Sequence, residues 1–187
     1  MRDCIFIHIG KTGGSSIRVY LAAAAFHNPG WRIHKEHRHL KASDVREKLG
    51  AEIFDSAIKF AVVRHPVDRY ISACRQCRID ANDSGTWHKI RAGEHPANNG
   101  GPLHHIFVTQ VQSTFVNGEQ SCKIFKFEQD FPERVCDWLT DQGLGHFRFG
   151  HVDPAPEDTK KQSLTSQTLA FIKEFYSCDF EVFGYET

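Results

Sequence analysis

No stretch of this chain is apolar for long enough to cross a bilayer. The longest hydrophobic runs, such as Ile5 to Ile9 and Phe60 to Val63, fall far short of the roughly 20 residues a spanning helix needs. The amino terminus carries one arginine and an apolar stretch that reads as a strand, without a signal-peptide cleavage pattern. An excess of either charge is also missing, with Lys plus Arg at 23 and Asp plus Glu at 23, so no overall field draws in nucleic acid or an anionic membrane. Any anion must therefore be held by a local site. A soluble, cytoplasmic protein is expected, with neither nucleic acid nor membrane as partner. The six cysteines, Cys4, Cys74, Cys77, Cys122, Cys136 and Cys178, belong to a chain large enough to fold without disulfides and read as reduced thiols. Cys74 and Cys77 form a CxxC, but there is no second pair at metal-ligand spacing and no strand-to-helix redox context, so they read as plain helix residues.

What is present is a chain of 187 residues, 40% hydrophobic, which is enough to bury a core and short enough to be one domain over 1–187. Residues 4 to 9 are short, apolar and β-prone, and "GKTGGSS" leads from them into "SIRVYLAAAAF", whose alanines and leucine favour helix. A second unit of this kind runs from "KFAVV" at 59 to 63 into "HPVDRYISACRQCRI", where Pro66 suits the first helical turn and Asp68 complements the positive end of the dipole. Between them, "WRIHKEH" predicts a third strand, and "KASDVREKLG" a short helix with Ser43 as its cap and Gly50 as its stop. Farther on, "CKIFKF" at 122 to 127 reads as a strand, "PERVCDWLTDQG" as a helix closing on Gly143, and about Ser166 to Tyr176 as the last helix before a terminal "FEVFGY". Two segments have loop composition: the polar, Gly-, Asn- and Asp-rich 80 to 102, and 151 to 163. Alternating strands and helices predict a parallel sheet with right-handed crossovers and ligands at the carboxyl ends of its strands.

One stretch, "FIHIGKTGGSSI", has the look of a phosphate-gripping loop. It is not the triphosphate loop, whose pattern needs a glycine six residues before the lysine; position 5 is Ile5, and Gly13 and Gly14 come after Lys11 instead. Glycines let backbone amides approach an anion closely, and the amino end of the following helix adds partial positive charge. Lys11, Thr12, Ser15 and Ser16 offer side-chain donors. The second strand ends in an arginine where a metal-dependent kinase would carry an acidic residue for magnesium. In "VVRHPVDRYIS", Arg64 and Ser72, about two helical turns apart, supply what a second phosphate requires. Two anion sites and no metal site imply a ligand with two separated phosphates.

"IFIHIGKTGGSSI" followed by "FAVVRHPVDRYIS" resembles the paired phosphate-binding motifs of sulfotransferases that use 3′-phosphoadenosine 5′-phosphosulfate (PAPS), the carbohydrate-type family 2 group in particular. "RHLKASDVREKLGAEIFDSAIKFAVVR", "FKFEQDF" and "YSCDFEVFGYE" extend the resemblance over nearly the whole chain. Gly10 stands where the family usually has proline, which loosens the start of the loop, and Ser15 where threonine is common; neither change removes a donor.

The resemblance implies an α/β fold, a P-loop-like three-layer sandwich with a small central parallel sheet flanked by helices. It also implies a site: Lys11, Thr12, Gly13, Gly14, Ser15 and Ser16 around the 5′-phosphosulfate, with Arg64 and Ser72 on the 3′-phosphate. The reaction would be in-line sulfuryl transfer from PAPS to an acceptor hydroxyl on a carbohydrate or small glycan, releasing 3′-phosphoadenosine 5′-phosphate (PAP), with no metal. Lys11 would stabilise the leaving oxygen. A histidine would be the general base, and the position before "LKASDVRE" makes it His39, with His34 and His37 as rivals. Against this stand a P-loop-type small-molecule kinase and a catalytically inactive nucleotide-binding module. His104, His105, His146 and His151 lack the partners of a metal site and read as surface or loop residues. Lys160 and Lys161 read either as a solvated pair or as contacts to the phosphate side, and Trp87 either as packing or as a face for the acceptor.

Overall fold

The computed structural model describes residues 1–34, 39–94, 109–145 and 163–187. Backbone contacts divide the chain into two compact units, one made of Met1–Val63 and Phe115–Pro154, the other of Arg64–Thr114 and Ala155–Thr187.

The first unit is built on four strands, β1 (Arg2–Ile7), β2 (Trp31–His34), β3 (Ile58–Val63) and β4 (Cys122–Lys126), all parallel and ordered β2-β1-β3-β4. Helix α1 (Gly14–His27) follows β1, and α2 (Ala42–Leu49) and α3 (Ala51–Ser56) precede β3. Alternation along the strands sorts side chains to two faces. On one, Cys4, Phe6, Phe60, Val62 and Phe125 share a core with Ile17 and Leu21 of α1. Lys59 points the other way, and its buried ammonium donates to the carbonyls of Phe54 (2.7 Å) and Ala57 (3.1 Å), where α3 ends. The Phe54 ring lies 4.9 Å from this ammonium and the Glu119 carboxylate 4.0 Å. A lysine interrupts this buried strand because the frayed end of α3 supplies the acceptors that a buried cation needs.

The α/β class, the parallel sheet and its strands are as the sequence predicts, apart from residues 35–37 of the expected "WRIHKEH" strand, which lie outside the described residues. One cap differs. Helix α2 begins at Ala42, after Lys41, whose N–H donates to the Asp44 carboxylate at 3.1 Å; Ser43 is already inside the first turn. Gly50 does stop this helix, at φ 84°.

In the second unit, α4 (Pro66–Cys77) carries the CxxC as helix residues, both cysteines buried and free, with burial pushing the Cys74 thiol up to about 12. The polar segment 80 to 102, expected as loop, contains a helix, α5 (Ser84–Arg91). Asp83 makes it: its carboxylate accepts from the N–H groups of Gly85 (3.2 Å) and Thr86 (2.9 Å) and from the Thr86 hydroxyl (2.9 Å). Residues 95–102 lie outside the described residues. After the short α6 (Ser113–Val116) and, in the first unit, α7 (Glu133–Asp141), the chain ends in α8 (Ser166–Phe175) and α9 (Ser177–Phe183). Helix α9 takes up much of the segment that the sequence left without structure.

Two measurements check these packing arguments. Lys59→Met, which removes the donor and leaves the carbonyls, is expected to lower the unfolding free energy by about 1–3 kcal/mol in a urea titration, and an unchanged midpoint would refute the role given to the ammonium. The hydrogen bonds from the Thr86 hydroxyl and the Gly85 and Thr86 amides hold the Asp83 carboxyl below its ordinary value. A folded pKa below the unfolded one stabilises fully above the unfolded value, about 3.9, and that contribution is lost as pH falls through the folded pKa. Protection of the Gly85 and Thr86 amides, relative to their intrinsic exchange rates, should therefore be lost in the wild type only in acid and in Asp83→Ala already at neutral pH; loss of wild-type protection between pH 5 and 7 would contradict this.

Candidate active site

In the first unit the chain leaves β1 through a tight turn. Lys11 (φ 68°) and Gly13 (φ 81°) both take the left-handed conformation, which costs a lysine about 1–2 kcal/mol. Thr12 is fully buried, and its hydroxyl donates to the Ile9 carbonyl at 2.9 Å, so its side chain closes the turn. The two glycines are required by close approach. A Cβ on Gly13 would lie 2.7 Å from the Phe131 ring, and one on Gly14 only 2.0 Å from His8 Nε2.

Helix α1 starts at Gly14 with no side-chain cap and no acidic residue in its first turn. The positive end of its dipole therefore meets no carboxylate from its own first turn, an arrangement that suits an anion. Ser15 is exposed in that turn and Ser16 is nearly buried.

The candidate bases separate clearly. The His39 ring, half-buried and carried on a left-handed backbone (φ 57°), lies 4.5 Å from the ring of His8. His8 is 7% exposed, stacks on Phe6 at 5.3 Å, and is the residue against which Gly14 fits. His34 instead meets the Asp3 carboxylate at 2.8 Å, which Arg32 also holds at 3.0 Å, tying β1 to β2. The sequence reading passed over His8; its position at the strand end, inside the loop motif, was the available signal. His37, His104, His105, His146, His151, Lys160 and Lys161 lie outside the described residues.

In the second unit Arg64 is half-buried, and the Gln112 side chain meets its backbone on both polar groups. Its N–H donates to Gln112 Oε1 (2.9 Å) and its carbonyl accepts from Gln112 Nε2 (2.8 Å). His65 follows as the N-cap of α4, its Nδ1 accepting the Val67 N–H at 3.3 Å, with Pro66 in the first turn. Ser72 is half-buried farther along the same helix. Trp87 of α5 stacks on Phe171 at 5.5 Å and 12°, and its indole N–H donates to the Ala81 carbonyl at 3.2 Å, so its surroundings are those of a packing residue. Among the described residues, no three His, Cys, Asp or Glu side chains gather as a metal site would require.

A parallel sheet whose first strand runs through a lysine–glycine turn into an uncapped helix, and whose third strand ends before an arginine, defines a P-loop-like group-transfer fold. The profile of the Sulfotransferase family, of the family 2 type, matches residues 3–117, and the chain belongs to that family. The match takes in the Lys11 turn, His39, Arg64 and Ser72, and sulfuryl transfer is the reaction class it supports. No individual curated protein and no solved structure matches the chain.

The fit of Gly14 against His8 is testable by stability alone. Gly14→Ala is expected to cost about 1–3 kcal/mol through overpacking, and pairing it with His8→Ala should recover much of that loss in a double-mutant cycle. Additive losses would show that the two residues do not press on each other.

Proposed function

We propose that this sulfotransferase takes its sulfuryl group from PAPS and passes it to a hydroxyl of a carbohydrate or small glycan, the whole chain acting as one sulfotransferase domain. The observation that carries the reading is the turn after β1, where two left-handed residues and a glycine with no room for a Cβ open onto a helix start without cap or acid. Such a turn suits a compact anion. The donor set fits the 5′-phosphosulfate: the amides of residues 12–16, the Lys11 ammonium and the Ser15 and Ser16 hydroxyls, with Thr12 holding the shape. Arg64 and Ser72 take the 3′-phosphate.

When bound, PAPS supplies the activated sulfuryl group. Lys11 neutralises the charge that builds on the oxygen leaving sulfur, an electrostatic contribution present before the reaction begins. His39 accepts the proton of the acceptor hydroxyl as its oxygen joins sulfur, a role worth about 10²–10⁴-fold. Position supports this assignment over His34: the His39 ring lies 4.5 Å from His8 of the loop motif, whereas His34 is engaged with the Asp3 carboxylate at 2.8 Å.

Calorimetric titration with PAP, without magnesium and with ADP as control, tests the reading. Wild type should bind PAP well and ADP poorly, and Arg64→Ala should lose about 10–100-fold toward PAP, the scale of a charge-assisted hydrogen bond. Equal binding of both nucleotides would return the loop to a kinase-type role. Binding of PAP with no radiolabelled sulfuryl transfer from PAPS to any of a panel of glycans would leave a nucleotide-binding module.

A further inference from the structure

The second unit contains a buried polar chain that ends on Arg64. Gln112 and Asp179 are both 0% exposed, and both lie far in sequence from the arginine. The Gln112 amide meets both backbone groups of Arg64, at 2.9 and 2.8 Å, as a neighbouring strand would. Gln112 is itself fixed from behind. The Asp179 carboxylate accepts the Gln112 N–H (2.8 Å), the Ser113 N–H (2.7 Å) and, more distantly, Gln112 Nε2 (3.4 Å).

The chemistry of Asp179 also decides which way the amide faces. An ionised carboxylate only accepts, so the Gln112 NH₂ must lie on its side, which leaves Oε1 for the Arg64 N–H. The buried Arg69 guanidinium places an opposite charge in the same interior and donates to the Gln110 carbonyl at 3.0 Å, holding the strap 110–113 at its other end. A carboxylate buried this completely persists only with such donors and countercharge.

We propose that Gln112 is a positioning residue for Arg64, and that Asp179 acts through it; this rests on the reading of Arg64 as the ligand of the 3′-phosphate. The guanidinium sits at the end of a flexible side chain, so the geometry it offers a phosphate depends on how firmly its backbone is held. Arg64 lies just past the end of β3, where a chain is normally loose, and the Gln112 amide extends strand-like pairing by that one residue. His65 and the start of α4 follow directly, so the clamp also sets where Ser72's helix begins.

The test compares wild type with Gln112→Met, which keeps the length of the side chain and removes its hydrogen bonds. Two quantities are read: amide exchange at Arg64, and the ratio of affinities for PAP and adenosine 5′-phosphate. In Gln112→Met, Arg64 exchange should rise at least tenfold while Phe60 and Val62 stay protected. The affinity ratio should fall about tenfold, toward that of Arg64→Ala, and Arg64→Ala with Gln112→Met should fall no further than Arg64→Ala alone.

A folded Gln112→Met with an unchanged ratio overturns the proposal. If that variant does not fold, Gln112→Glu and Asp179→Asn are measured in the same way, and an unchanged ratio in both overturns it equally. A wild type that binds the two nucleotides alike defeats the reading of Arg64 and the proposal with it, an outcome told apart from the others because no variant is involved.

Discussion

The structure hangs on the parallel pairing of β1 with β3. The register joins Cys4 to Ile58, Phe6 to Phe60 and Ile7 to Ala61, and apart from the Arg2–Asp3 start and Lys59 both strands read as buried apolar runs. Because they run the same way, the loop after β1 and the arginine after β3 each follow the carboxyl end of a central strand. What differs is how each end is controlled. After β1 the chain spends backbone strain at Lys11 and close contact at Gly13 and Gly14 to present amides. After β3 it is held by a side chain borrowed from forty-eight residues away in sequence.

A chain with no net charge has no long-range field to attract a ligand with several negative charges. The whole attraction must come from short-range devices: an uncapped helix start, a lysine on a left-handed backbone and an arginine at a strand end. Such devices act within a few ångströms, where salt screens them least. Under the proposed reading, selectivity for the placement of two phosphates would follow from geometry more than from total charge.

Much of this was legible in the sequence because the signals were local. Apolar runs bounded by glycine and proline give the four strands, and the order lysine, threonine, glycine, glycine gives the turn. The misread elements were those where one polar side chain decided the outcome. Asp83 turns a Gly- and Asp-rich stretch into a helix that buries little beyond Thr86 and Ile90. Asp44 captures the N–H of Lys41, so α2 starts ahead of the residue that looked like its cap. Thr12 stays in the proposed cradle through its backbone, and its hydroxyl, which donates to the Ile9 carbonyl, shapes the turn. The clamp on Arg64 had no sequence signal at all, since nothing in "TQVQSTF" distinguishes a surface glutamine from one that pairs with a strand end.

The position of Asp179, far after Arg64 in chain order, bears on how the protein is made. During synthesis the strands and the Lys11 turn emerge first and can pair as soon as β3 is out. The arginine that follows β3 emerges with them, but the carboxylate that orients its clamp lies in α9, more than a hundred residues farther along the chain. The proposed support of Arg64 therefore forms only after the sheet-forming segments have been made. A polypeptide interrupted after β4 would keep the sheet-forming segments and lack the residue that secures the arginine's support.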